Sequence, residues 1–204
     1  YPDTAETDGA IIIRRKLSDR SINFLLGLEV VGGDLRPYGL FTTAGAIKVN
    51  KVGGSMPVIN NVHFWLDGSA MTVPVDRWTH IAATANSALD EMRLYINGKL
   101  VAKRINVADT PYPGLGLMGS VTVGGSADAA EAASSYFFDG SLDEIRIWTG
   151  PRSDSAIAGN FQYEFQEPVS VNMLDIDDAL SFDHAPGRLL IGLKDDVADA
   201  DKAE

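Results

Sequence analysis

The chain of 204 residues contains no cysteine. This absence excludes disulfide bridges, thiolate zinc sites and cysteine nucleophiles together. It is typical of a cytosolic protein or of a bacterial secreted protein. It disfavours a small animal extracellular module, because such modules depend on bridges for their stability.

Long apolar runs are also missing. No stretch approaches the roughly 18 consecutive apolar residues that a membrane-spanning helix requires, so the sequence predicts no membrane insertion. The chain begins at Tyr1 and shows no secretory signal peptide. We therefore expect a fragment or a processed form of a longer protein.

Basic residues are few. The chain has 17 Lys and Arg against 28 Asp and Glu, a net charge of −11. Residues 164–204 contain eleven acidic and three basic residues, a net of −8, which leaves only −3 for the first 163 residues. A nucleic-acid binder needs a clustered basic face to neutralise phosphates. We therefore expect no nucleic-acid partner, and a nearly neutral body with an acidic C-terminal extension.

Helical periodicity is absent before residue 153, and alternating apolar patterns predict strands instead. The strongest local signal is Asn97-Gly98, which separates the run Met92–Ile96 from another apolar run. Asn-Gly favours a type I′ turn, since both of its central positions need positive φ. A two-residue turn sets the strand register. The predicted opposing pairs are Ile96 with Lys99, Tyr95 with Leu100, and Leu94 with Val101.

Further alternating segments predict the remaining strands. Asp67-Gly68 is a second hairpin signal before Met71–Val75. Ser153 can cap a short helix that runs to about Phe161. The other predicted strands are 10–17, 22–31, 35–43, 58–66, 79–85, 117–123 and 136–148. The resulting fold class is all-β with one short helix.

Five segments in a fixed order carry a family resemblance. They read W-T-H-I-A-A, L-Y-I-N-G-K-L-V-A, V-T-V-G-G and F-D-G-S-L-D-E-I-R-I-W, followed by the helix-like segment. From about residue 11 to 161 the chain resembles the laminin G-like and pentraxin-like branch of the concanavalin A-type lectin/glucanase superfamily. The resemblance implies a two-sheet antiparallel jelly-roll sandwich in a secreted or cell-surface protein. It also implies a binding or adhesion module that is often calcium-dependent.

This resemblance sets the expected domain boundaries. We expect a laminin G-like sandwich over residues 1–175, then an acidic linker and the start of a following segment over 176–204. Within the latter, Arg188–Lys194 and the Asp195-Asp196 that follows resemble the opening of the propeptide of subtilisin-like serine proteases. This favours an alternative function, a structural or accessory module beside the catalytic domain of a secreted protease. A simpler alternative is a C-terminal strand with a solvated tail.

Three acidic residues are candidate metal ligands. Strand alternation places Asp143 on the same buried face as Ile145 and Ile147, where a carboxylate needs a base, backbone N–H groups or a metal. The resemblance implies that Asp143 lies beside a calcium ion or in a network that holds a turn. It also implies acidic ligands just after strand 117–123, where Asp128 matches and Glu131 is near. Calcium needs six to eight oxygen ligands. Two interpretations are therefore open: a calcium cofactor held by these three residues, or, for Asp143, hydrogen bonding to a neighbouring loop. One or two matched ligands cannot hold calcium alone.

Paired carboxylates for catalysis are not evident. Asp143 and Glu144 are adjacent and would point to opposite strand faces, as would Asp90 and Glu91, so neither pair can flank one glycosidic bond. The motifs E-x-D-x-x-E, H-E-x-x-H and G-x-S-x-G do not occur. The sequence therefore predicts no catalytic residue, and we expect a protein that is not an enzyme.

Aromatic residues near turns are the candidate ligand contacts. Trp65 precedes Asp67-Gly68, and Tyr38 and Tyr136 also lie near turn signals. An exposed ring at such a place can stack on a sugar, so we predict these three residues as the ligand-binding set. Trp78 is expected to pack in the core, as the matching position of the resembling family does. The predicted function is non-catalytic binding of a glycan or a protein ligand.

Overall fold

The computed structural model describes residues 1–3, 8–15, 21–43, 47–59, 62–107, 109, 111, 121–125, 137–163 and 188–190. The chain forms two compact units. The first comprises Tyr1–Leu142 and Gly150–Gln162, and the second comprises Asp143–Thr149 and Tyr163–Glu204.

Strands dominate the described part of the first unit, with one short helix. The elements are β1 (Gly9–Arg15), β2 (Ile22–Val31), β3 (Asp34–Thr42), β4 (Val49–Gly53), β5 (His63–Trp65), β6 (Ile81–Asn86), β7 (Glu91–Ile96), β8 (Lys99–Arg104), β9 (Val121–Val123) and α1 (Asp154–Asn160). The predicted all-β class with a short helix is confirmed.

These strands form two antiparallel sheets. One has the order β4-β3-β2-β1-β9 and the other has the order β5-β8-β7-β6. Apolar side chains of both sheets meet in one buried cluster, as expected for a sandwich whose inner faces are apolar. The cluster consists of Phe41, Val52, Trp65, Met92, Leu94, Ile96, Val101, Ala102 and Val107.

The Asn97-Gly98 hairpin has the predicted geometry, with φ of 47° and 76° at its two central residues. Ile96 pairs with Lys99 and Tyr95 with Leu100, as predicted. The third predicted pair is wrong, because Leu94 pairs with Ala102 and not with Val101. A β-bulge between these pairs inserts one residue in β8. As a result, the consecutive residues Val101 and Ala102 are both buried in the core.

Three predicted strands are shorter or absent in the described residues, and the first of them, 58–66, is limited to β5. Met71–Val75 forms no strand, although Asp67 does close a local turn by accepting a hydrogen bond from the Ser69 amide at 3.1 Å. The predicted strand 136–148 is described only from residue 137, and in that part strand geometry is limited to β10 (Arg146–Trp148). Positive φ at Gly140 (143°) and Glu144 (51°) interrupts the extended chain before β10.

Helix α1 begins where the sequence predicts. Ser153 is its N-cap, and the Ser153 hydroxyl accepts a hydrogen bond from the Ala156 amide at 3.2 Å. The Tyr95 hydroxyl of β7 donates to Asp154 at 2.8 Å, which ties the start of the helix to the four-stranded sheet. Phe161 at the helix end lies against Gly98, where a Cβ would be only 2.5 Å from the Phe161 ring.

The second unit contains a small antiparallel pair. It joins β10 to β11 (Arg188–Leu190) with Arg146 opposite Leu190. The segment that resembles a protease propeptide is described only at residues 188–190, so its predicted relation stays a prediction. The rest of the acidic extension lies outside the described residues. Within the described residues, no helix has the length and apolar character needed to cross a membrane.

Candidate functional site

Two of the predicted ligand-binding aromatics lie in the interior. Trp65 is only 5% exposed and meets the His63 ring edge-on, with centroids 6.3 Å apart. The prediction that Trp65 is an exposed loop-tip residue is therefore wrong. Trp65 belongs to β5 and lies two residues after the buried His63. Strand alternation therefore turns both side chains inward.

Tyr38 is likewise buried, which also contradicts its predicted exposure. Its register partner on β2 is Gly27, where a Cβ would lie 3.1 Å from the Tyr38 ring. Because glycine has no side chain, the ring can lie against the neighbouring strand. The Lys51 ammonium then covers the ring at 4.6 Å from its centroid. Tyr136, the third predicted aromatic, lies outside the described residues.

Trp78 has the opposite environment from the one predicted. It is 58% exposed, and the expectation that it packs in the core is wrong. β6 begins only at Ile81, and Asp76 has a positive φ of 53°. Trp78 therefore lies in the irregular segment between the turn at Asp76 and β6, outside the alternation that would direct its side chain inward.

Tyr1, Asp76 and Trp78 form a surface group that we call the aromatic corner. The Tyr1 and Trp78 rings are tilted by 50° with centroids 5.7 Å apart, a spacing that is favourable for aromatic pairs. The Tyr1 hydroxyl donates a hydrogen bond to Asp76 Oδ1 at 3.4 Å. The negative charge of Asp76 is the main cause that raises the pKa of the Tyr1 hydroxyl. That hydroxyl is therefore protonated at neutral pH and serves as a donor.

Backbone hydrogen bonds hold the aromatic corner on two sides. The Asp76 amide donates to the Pro2 carbonyl at 2.9 Å, and the Ser141 amide donates to the Tyr1 carbonyl at 2.9 Å. The Asp3 amide also donates to the Asp139 carbonyl at 3.0 Å. The segment that carries Tyr1 is thus bonded to two separate parts of the first unit. Its ring is positioned by the backbone and not only by its contact with Trp78.

Sequence reasoning missed the aromatic corner for a definite reason. Tyr1 and Trp78 are 77 positions apart, and only the tertiary fold brings them together. The one local signal is V-D-R-W-T, in which Asp and Arg directly precede the tryptophan. Charged residues at this place are typical of a turn, and a turn weakens the expectation that the following aromatic is buried.

The predicted metal ligands are only partly described. Asp143 is exposed, so its predicted place on a buried strand face is wrong. The positive φ of Glu144 breaks the alternation, and Asp143 Oδ1 instead accepts a hydrogen bond from the Glu144 amide at 2.7 Å. Asp128 and Glu131 lie outside the described residues. Among the residues that the structure describes, no cluster of three His, Asp or Glu could hold a metal, so these residues alone do not fit calcium.

Other carboxylates near the sheets already have cationic partners. Glu91 is buried and forms ion pairs with Arg93 and Lys103. In the second unit, Glu144 pairs with Arg146 at 2.8 Å. These contacts explain the two acids as structural ion-pair partners.

Comparison with known proteins gives a family and a fold. The family model Laminin_G_3, described as concanavalin A-like lectin/glucanases superfamily, matches residues 1–158. No curated protein sequence matches the chain.

Three solved structures are similar to the chain. The native heptameric SAP-like pentraxin of Limulus polyphemus is 14% identical with a TM-score of 0.51, over 77% of this chain and 64% of the pentraxin. An S-layer domain-containing protein of Clostridium thermocellum is 21% identical with a TM-score of 0.34, over 76% of this chain and 64% of that one. A Bacteroides ovatus protein described as a candidate carbohydrate-binding protein is 15% identical with a TM-score of 0.46, over 76% of this chain and 40% of that one.

The chain thus spans less than two thirds of each of these three proteins. The pentraxin match supports the sandwich fold and, at 14% identity, nothing more specific. The family match is different in kind, because it extends over most of the 204 residues. The chain belongs to the laminin G-like family of the concanavalin A-like lectin/glucanase superfamily.

Proposed function

We propose that this chain is a non-catalytic module that binds a glycan through the aromatic corner. The observation that carries the proposal is the exposure of Trp78 next to Tyr1, with Asp76 beside them. A large exposed aromatic surface leaves apolar area in water, and such areas on soluble proteins commonly mark binding sites. Membership in a superfamily of lectins and glucanases agrees with a sugar as the ligand.

The chemistry of the aromatic corner suits a neutral pyranose. One face of a pyranose ring presents C–H groups, which pack well on the flat face of a tryptophan. The Asp76 carboxylate can accept hydrogen bonds from sugar hydroxyls, and the Tyr1 hydroxyl can donate one. Both Asp76 and Asp3 act electrostatically on Tyr1. These two carboxylates disfavour a ligand that carries carboxylate or sulfate groups.

The test is binding to arrayed glycans and to neutral polysaccharides, with affinities measured for wild type and Trp78→Ala. We expect Trp78→Ala to weaken binding by about fivefold or more, because truncation of a central aromatic contact commonly costs above about 1 kcal/mol. Leu89→Ala is the matched control, since Leu89 is similarly exposed but lies in the turn between β6 and β7. Full binding by Trp78→Ala would contradict the proposed site. Wild type that binds no glycan would contradict the ligand class and leave a protein as the ligand to seek.

The setting of the module is part of the same proposal. We place it in a secreted or cell-surface protein of bacterial type, beside other domains. Calcium dependence also stays a proposal, which rests on the family resemblance and on Asp143, Asp128 and Glu131. Only Asp143 is described, so a calcium site would depend on the other two residues for its remaining ligands.

A further inference from the structure

β4 is an edge strand whose outer side is closed by side chains. It is the last strand of the five-stranded sheet, so no strand among the described residues pairs with the backbone groups that face away from β3. The Gly53 amide donates to His63 Nε2 at 3.1 Å, and the Lys51 carbonyl accepts from the Arg104 guanidinium at 3.1 Å. We call these four residues the histidine seam. His63 and Arg104 thus take the place of a partner strand.

The two side chains of the four-stranded sheet are placed by their register. His63 of β5 lies directly opposite Arg104 of β8, so their side chains are neighbours on the same face. His63 and the core residue Trp65 are two positions apart in β5, so their side chains lie on the same face of the strand. That face is the inner one, because Trp65 belongs to the core. Both side chains therefore reach across the open side of the sandwich to β4.

Hydrogen bonding fixes the protonation state of His63. Its Nδ1 lies 3.2 Å from the Pro57 carbonyl oxygen, which can only accept, so Nδ1 carries a hydrogen. Its Nε2 faces the Gly53 amide, which can only donate, so Nε2 carries no hydrogen. The ring is therefore neutral, and it has no exposed surface. A proton added at Nε2 would turn the contact with Gly53 into one between two donors.

Charged neighbours of His63 also disfavour its protonated form. Lys51 of β4 and Arg104 of β8 are the cations whose charge disfavours protonated His63. Glu29 of β2 forms an ion pair with Lys51, and Asp109 acts electrostatically on Arg104. Burial is the main cause that lowers the pKa of His63, and the two cations lower it further, against an opposing effect of the Pro57 carbonyl.

We propose that His63 is an acid-sensitive latch, whose protonation releases the edge of β4 from the four-stranded sheet. The seam cannot adapt easily around a charged ring. Gly53 has a φ of 83°, and a Cβ built there would overlap the Pro37 carbonyl and lie 2.5 Å from a Leu94 methyl group. The backbone at Gly53 is thus closely confined on its other side. In acid, the proton is accommodated by opening of the seam, which exposes the outer edge of β4.

The expected pH window follows from the direction of the shift. A histidine whose pKa is lowered in the folded state stabilises the closed form fully above its ordinary pKa of about 6.5. That stabilisation is lost as pH falls from there toward the lower folded-state pKa. Across this window, the opening equilibrium should rise about tenfold for each pH unit.

The first experiment uses NMR on the wild-type chain labelled with ¹⁵N-histidine. At pH 7.5 we expect His63 as the neutral Nδ1–H tautomer, with His80 and His184 as internal comparisons. Amide exchange is then measured from pH 7.5 downward, and the protection of the Gly53 amide should fall by about tenfold per pH unit below about 6.5. The Leu94 amide of the core should keep its protection. An Nε2–H tautomer, or Gly53 protection that is constant with pH, would overturn the proposal.

The second experiment compares His63→Gln with His80→Gln. A glutamine oxygen can accept from Gly53 but does not titrate, so His63→Gln should remove the pH dependence of Gly53 protection. His80→Gln should retain it. If His63→Gln keeps the wild-type pH dependence, the latch is contradicted. If His63→Gln does not fold, the wild-type tautomer and exchange data decide by themselves. None of these readouts depends on glycan binding, so the latch and the proposed function can fail separately.

Discussion

His63 and Trp78 depart from the usual distribution of side chains in opposite ways. His63 is a titratable side chain with 0% exposure, whereas Trp78 is an aromatic side chain with 58% exposure. Buried apolar residues and single exposed apolar residues are common and say little about function. A buried polar group or a large exposed apolar group is informative. The histidine seam and the aromatic corner are therefore the two regions in which function is best sought.

The two regions differ in how their unfavourable placement is compensated. Both ring nitrogens of His63 have hydrogen-bond partners, which offsets the loss of hydration on burial. Trp78 contacts Tyr1 but still leaves most of its surface in water. Hydrogen bonds that offset the cost of burial, as at His63, indicate a structural role. The part of the Trp78 ring that stays in water is available to a ligand.

The largest effect we expect is the difference in stability between the alanine variants of the two tryptophans. Trp65→Ala should lower the free energy of unfolding by about 3–5 kcal/mol, because it leaves a cavity in the core. Trp78→Ala should change it by less than about 1 kcal/mol, as is usual for surface positions. Urea unfolding of both variants measures this difference. Equal losses would mean that the aromatic corner is a structural part of the sandwich.

A pair of glycine substitutions tests how closely other atoms pack against the backbone at Gly53 in the histidine seam. Gly53→Ala should cost about 3 kcal/mol or more, since it combines an unfavourable positive φ with steric overlap. Gly68→Ala is the matched control, because Gly68 has a similar φ of 79° but no atom within 4 Å of its added Cβ. It should cost only about 1–2 kcal/mol. The same loss in both variants, measured by urea unfolding, would contradict close packing at Gly53.

Asp154, which is exposed but accepts a hydrogen bond from the buried Tyr95 hydroxyl, should affect stability in a different pH window from His63. Burial tends to raise the pKa of Asp154, but hydrogen bonds from Tyr95 and Arg93 outweigh it, and the pKa lies below its ordinary 3.8. The stabilisation is thus present above pH 3.8 and is lost as pH falls through the folded-state pKa. Tyr95→Phe should cost about 1 kcal/mol at pH 7 and should reduce the loss of stability at pH 3. Unfolding curves at pH 7, 5 and 3 test this, and an unaltered acid profile would contradict it.

The smallest expected effect concerns calcium, which would act outside both regions. If the proposed site exists, the melting midpoint should rise by a few degrees between EDTA and millimolar calcium, since a ligand of the native state stabilises it. Asp143→Ala and Asp128→Ala should each reduce that rise, and Asp67→Ala serves as a control in a surface turn. A midpoint that does not respond to calcium would remove the metal from the proposal.

Local patterns predicted most of the strands along the chain. Asn97-Gly98 placed a hairpin correctly because a two-residue turn with positive φ has few alternatives. β2 was predicted with its observed bounds, since Gly32-Gly33 ends a long apolar run. The register failed at Leu94 and Ala102 because the bulge depends on packing from both sides of β8, which no local pattern reports.

The candidate site was the harder part to predict. Exposure of Trp65 was predicted from the nearby turn, yet β5 holds its side chain inside. Trp78 was predicted to be buried from a family position, yet its turn directs it outward. Aromatic residues have similar local preferences in both settings, so only the surrounding structure distinguishes them.

The sequence by itself determined the all-β class, the hairpin, the helix start at Ser153 and the family, because short-range turn and capping chemistry carries that information. The tertiary structure alone decided that His63 closes the edge of β4 and that Tyr1 lies beside Trp78. Both arrangements join residues from separate elements, and their geometry depends on how the two sheets pack. Burial and hydrogen-bond partners arise from that packing, which is why they could not be predicted from neighbouring residues.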